Sequence, residues 1–263
     1  MKDERIPFRP ASLGLALRRG FSAAYDHLGY VVFVTFASFV SASVLTGVAI
    51  TAASKLGRSI GVAKIVFFLP VVITIWLFAV GVYYYATKSV YHEYPTLSDT
   101  WNGIKTLLGP ALKLLVLDLA VTVLLLGDTL FFLSIRGSMV FQIVGVLCGY
   151  ITLVWMMMTM YHLPLLVVQL GMESGPRPLV VVRKSFLLVA DNPGFTVGLF
   201  LVIIALAVIC AVLGFVGMAV FYLGATAFVL THALRELFIK YGIVEDETET
   251  VEDNGWPGSD RQM

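Results

Sequence analysis

Residues 192–234 contain no Asp, Glu, Lys or Arg. A charge-free run of about 43 residues is too long for one membrane crossing and suits two crossings of about 20 residues each. No water is available in hydrocarbon to pair backbone N–H and C=O groups, so such spans must satisfy themselves as helices. Elsewhere the chain is nearly as poor in charge. Its 263 residues are 59% apolar and 13% charged, where a soluble domain carries about 25% charged residues. The aqueous segments are too short to build a separate soluble core.

Apolar runs place six spans at about 28–52, 65–87, 111–133, 138–161, 195–216 and 218–238. The expected fold is all-α, with six transmembrane helices arranged as three helical hairpins. A short cytoplasmic interfacial amphipathic helix is expected before each hairpin. The first covers residues 11–27, where Leu13, Leu17, Phe21 and Ala24 share a face. A second follows a cap at Ser98 or Asp99. Pro178 suits the first turn of the third, which runs to about Ala190.

The three amphipathic stretches carry matching tetrapeptides: Arg18-Arg19-Gly20-Phe21, Trp101-Asn102-Gly103-Ile104 and Arg183-Lys184-Ser185-Phe186. They recur about every 82 residues, and Gly or Pro breaks follow each. This divides a transmembrane domain over 11–240 into weak repeats at 11–95, 96–176 and 177–240. A polar N-terminus (1–10) precedes it. An acidic tail (241–263), with six acids and no base between Glu245 and Asp253, reads as disordered.

Orientation follows from Lys and Arg. With both termini cytoplasmic, fourteen of the 18 basic residues fall inside; Lys55, Arg58, Lys64 and Arg136 fall outside. The N-terminus lacks the pattern of a cleavable signal peptide, so the first span is read as an uncleaved anchor. Net charge is +1 and gives no nucleic-acid signal. Cys148 and Cys210 fall within spans and read as packing residues, with no disulfide framework.

Ionisable groups inside spans are the candidates for function. Asp118 and Asp128 lie in the third span. A carboxylate there faces protein or water. One reading is a proton- or ion-coupled path, with Asp118 lining a hydrated cavity; the other is a carboxyl bonded to neighbouring helices. Ten residues apart, the two acids point about 80° from each other, so they form no acid–base dyad. Asp128 sits in a local break at Gly127-Asp128-Thr129. His162 and Tyr84, near the inner ends of returning helices, complete a candidate polar path with Asp118 and Asp128. His92, His162 and His232 recur one per repeat, but at depths that differ by about 10 Å, so no metal site is expected. Met156, Met157, Met158 and Met160 read as core filler. No phosphate loop or catalytic motif is present, no cofactor is signalled, and no enzymatic activity is expected.

Three stretches resemble a known family. Leu69-Pro70-Val71-Val72, Thr74-Ile75 and Tyr83-Tyr84 look like the pattern of YesL-like bacterial membrane proteins. Leu163-Pro164-Leu165-Leu166 agrees, as does Phe186-Leu187-Leu188 followed by Asn192-Pro193. The resemblance covers about residues 15–240. It departs at Trp76-Leu77, where the family often shows Gly-Pro, and the acidic tail is an addition. It implies a protein of the bacterial plasma membrane, accessory to an ABC-type carbohydrate transporter, with no catalytic residues to carry over. The alternative is a small-molecule, ion or lipid transporter in its own right.

Overall fold

The computed structural model describes residues 10–55, 66–91, 94–135, 139–171, 175–213 and 216–244. The polar segment 1–9, the loop carrying Arg58 and Lys64, His92, Arg136 and the acidic tail from Glu245 lie outside the described residues. In order come α1 (Leu13–Asp26), α2 (Leu28–Lys55), α3 (Leu69–Val90), α4 (Leu97–Ser134), α5 (Met139–Val168), α6 (Pro178–Asp191), α7 (Pro193–Val212) and α8 (Leu223–Lys240). A 3-10 turn (Gln169–Gly171) ends α5, and a π turn (Met218–Tyr222) leads into α8. Six of these segments are long and apolar enough to cross a membrane: α2, α3, α4, α5, α7 and the π turn with α8. The chain is an all-α, multi-pass membrane protein.

The last span lies at the centre. Its apolar window is 72% buried, against 17–39% for the other five. The reason is in its sequence. Thr226, Thr231, His232 and Glu236 are all buried on α8, and polar groups are far cheaper against protein than against lipid. The other spans turn broad apolar faces outward, as with Val123, Leu130 and Phe131 on α4.

Where the π turn interrupts regular helix bonding, the N–H of Gly224 donates to Thr35 Oγ1 on α2 at 3.1 Å. A side chain from another helix thus satisfies a backbone group next to the irregular turn.

α1 and α6 are the expected surface helices. Ser12 caps α1, its Oγ accepting from the N–H of Leu15. Ala16, Gly20 and Ala24 form the buried face of α1, which packs on α8. α6 packs on α5, with Pro178 in its first turn.

The second surface helix is not a separate element. It is continuous with the third span as α4, a single helix of 38 residues with Pro110 inside it. At 1.5 Å per residue it is about 57 Å long, well beyond the ~30 Å hydrocarbon core. Pro110 cannot donate to the carbonyl of Thr106, yet contacts with α3 hold both sides of the proline. Gly103 packs on Tyr84, and the Trp76 indole donates to the carbonyl of Ala111 at 3.0 Å. The cap is Thr96 rather than Ser98 or Asp99. Asp99 instead closes a capping box as the third helical residue and pairs with Lys88 at 3.0 Å. Nor does α4 break at Gly127-Asp128-Thr129; it runs on to Ser134, and Thr129 Oγ1 donates back to the carbonyl of Leu125.

Candidate functional site

Three helices meet at one buried polar group. Asp118 follows Ala111, Leu114 and Leu115 on the inward face of α4. His162 lies in α5 within an almost unbroken buried stretch from Met157 to Val167. Ser185 shares the buried face of α6 with Val181, Leu188 and Val189. Asp118 is 7% exposed, and the other two are fully buried.

Asp118 Oδ1 lies 2.9 Å from His162 Nδ1, and His162 Nε2 lies 3.0 Å from Ser185 Oγ. Trp155 packs edge-on against the imidazole at 5.5 Å, and its indole donates to Thr122 on α4. The Asp118–His162 contact is close but out of line for a hydrogen bond. Neither carboxylate oxygen has an aligned partner among the described residues.

The order carboxylate, imidazole, hydroxyl is that of a serine nucleophile with its base. The hydroxyl is committed differently. Ser185 Oγ donates to the carbonyl of Val182, one turn back in its own helix, at 2.8 Å. The remaining role for Oγ toward Nε2 is as acceptor. The Nδ1 edge then faces the carboxylate at 2.9 Å.

Of the four residues of the expected polar path, Asp118 and His162 come together. Asp128 is half-buried ten residues further along α4, and Tyr84 packs on α4 at Gly103 with Lys88 over its ring at 5.6 Å. Met157, Met158 and Met160 belong to the core. Among the described residues, no three His, Cys, Asp or Glu side chains gather as metal ligands.

Sequence reading does not single out Ser185 as a partner, although it is a polar residue on an otherwise apolar helix face. Arg19 and Glu236 also escape a local reading. They pair at 2.7 Å across α1 and α8, 217 positions apart in the chain. His27, between α1 and α2, contacts Ser89 at 2.8 Å and Tyr85 at 3.2 Å, and stacks on Phe228.

Among the cavities formed by the described residues, three lie around this frame. One of about 520 Å³ runs between α2, α3 and the first half of α4. A second, of about 470 Å³, is bounded by Tyr84 and Lys88 on α3, by Tyr91 just after it, and by the end of α5. A third, of about 420 Å³, lies between α6 and the end of α8. None of these three includes Asp118, His162 or Ser185.

At the third cavity Lys240 donates to Asn192 at 2.6 Å and to Asp191 at 3.3 Å. Tyr241 donates to Asp191 and accepts from the Asn192 amide. The Tyr241 hydroxyl first, then Lys240, holds the Asp191 carboxyl below its ordinary range. Burial, with Asp191 beside it, pushes the Tyr241 phenol up.

A carboxyl depressed by folding stabilises the fold above its unfolded value. That contribution disappears as pH falls through the folded value. Acidification is therefore expected to loosen the α6–α8 junction. Asp191→Asn should flatten the acid side of the melting temperature against pH in detergent. An unchanged acid limb would show that Asp191 takes no part.

No family model, curated protein or solved structure matches this chain.

Proposed function

We propose that this chain is a non-enzymatic membrane component that assembles with a transport system, of the carbohydrate-uptake class. The observation that carries the reading is the Asp118–His162–Ser185 chain. Three helices spend their buried polar groups on one another. Arg19 with Glu236, and His27 with Ser89, do the same elsewhere. A reacting or transported molecule needs polar groups that converge on a space it can enter. Here the buried polar groups fix helix positions instead. The resemblance to YesL-like proteins supplies the partner class. The distribution of Lys and Arg supports an orientation with both termini cytoplasmic, and the same resemblance implies the bacterial plasma membrane.

Mild solubilisation of native membranes and affinity capture of the chain test the proposal. ABC-type permease subunits are expected at a constant ratio to it. A monodisperse species containing this chain alone overturns the reading. A second reading, a transporter working through Asp118, draws on the two carboxylate oxygens that lack an aligned partner. The solitary species is its expected form, and in vesicles that species should dissipate a proton gradient that Asp118→Asn preserves. Vesicles that hold the gradient with the unsubstituted chain would dismiss it.

A further inference from the structure

The 520 Å³ cavity between α2, α3 and α4 is a groove of the size that small ligands occupy, about 300–1,000 Å³. Phe33 and Ala37 on α2, Leu77 and Phe78 on α3, and Ile104 and Leu108 on α4 form its apolar walls. Two polar groups at the wall already satisfy each other. Tyr30 and Thr100 share a hydrogen bond at 2.7 Å. Among the described residues that line it, Lys105 alone carries a charge. Its side chain is exposed, and its ammonium sits over the Trp101 ring at 5.4 Å from the centroid. Asp99, the nearby acid on α4, is engaged by Lys88.

We propose that this groove holds an anionic glycerophospholipid, one acyl chain along the walls and the phosphate at Lys105. Shape alone selects no occupant in a bilayer, because bulk lipid tails are as apolar as the groove. The charge does select. A lysine ammonium offers three donors to a phosphate. A zwitterionic headgroup brings its own cation into competition, whereas a phosphatidylglycerol headgroup does not. Trp101 suits the same level, since its ring is amphipathic and favours the headgroup boundary.

Trp101 also reports on the groove. The full chain in detergent micelles would be titrated with phosphatidylglycerol or phosphatidylcholine, each brominated on the acyl chains, while indole fluorescence is read. Trp101→Phe identifies the Trp101 component. Half-quenching of that component is expected at about a fivefold lower mole fraction of phosphatidylglycerol, the factor for one lysine at an anionic surface. Lys105→Gln, at an exposed position, should bring the two lipids level. Ala37→Phe fills the groove but keeps the charge, and should weaken quenching by both. Equal half-quenching in the unsubstituted chain overturns the proposal. So does a phosphatidylglycerol preference that survives Lys105→Gln, or quenching indifferent to Ala37→Phe.

Discussion

Gly20→Leu is expected to lower the stability of the detergent-solubilised protein by about 3 kcal/mol or more, the upper end of overpacking costs. A Cβ at Gly20 would lie 2.7 Å from Val229 Cα and 3.3 Å from Val229 N. Both are backbone atoms of the central helix, so no rotamer change relieves the clash and α1 must move off α8. That motion also draws Arg19 away from Glu236, now 2.7 Å apart, with the Glu236 side chain only 4% exposed. Breaking a buried ion pair costs about 3–5 kcal/mol by itself when one partner is removed. Gly14 lies on the same helix, and a Cβ added there would meet nothing within 4 Å. Gly14→Leu is therefore neutral or slightly stabilising, because glycine is a poor helix former. Val229→Ala should not rescue Gly20→Leu, since the closest atom is Cα. Equal melting temperatures for the Gly14 and Gly20 variants would show that this crossing tolerates separation.

The third residue of each matching tetrapeptide meets a span at close range. Gly20 meets Val229 on α8, Gly103 meets Tyr84 on α3, and Ser185 meets His162 on α5. Small side chains let helices approach where packing, not hydrophobic transfer, holds them together. The sequence shows small residues on these amphipathic stretches; which helix receives each one depends on long-range docking.

Span positions are legible for a similar physical reason. Lipid forbids unpaired backbone, so a long charge-free run has one conformation open to it. Junctions are harder. Gly109-Pro110 reads as a break on local preference, and contacts with α3 overrule it. Asp118 and His162 each stand out as ionisable groups in apolar runs, but their pairing depends on hairpin register. The register of α4 against α5 sets Thr129 beside Thr152, Thr122 beside Trp155 and Asp118 beside His162. A register taken from the facing ends of the two spans, Ser134 and Met139, finds the pair to within about two helical turns. Ser185 requires the docking of α6, and no local signal specifies that.

His162→Leu is expected to cost about 3 kcal/mol, the upper end of the range for leaving buried polar groups without partners. It leaves the Asp118 carboxyl in the bundle without its imidazole and deprives Ser185 Oγ of a partner 3.0 Å away. Asp118→Leu carries a comparable cost, because Nδ1 then faces hydrocarbon. The double variant discriminates between a clasp and two independent residues. With both polar groups gone, the site is apolar and no ionisable group is stranded. Its loss should fall short of the summed single losses by about 2 kcal/mol, within the range for directly coupled residues. Asp118→Asn keeps the shape and a polar contact, so it is the mildest single change and remains measurable if the leucine variants fail to fold. Ser185→Ala removes only the outer member and should cost about 1–3 kcal/mol for an orphaned buried nitrogen. Denaturant or thermal unfolding in one detergent supplies all five values. Strict additivity would mean that the 2.9 Å contact couples nothing. Strong coupling would mean that α4, α5 and α6 are held in register by polar groups that their burial leaves no other way to satisfy.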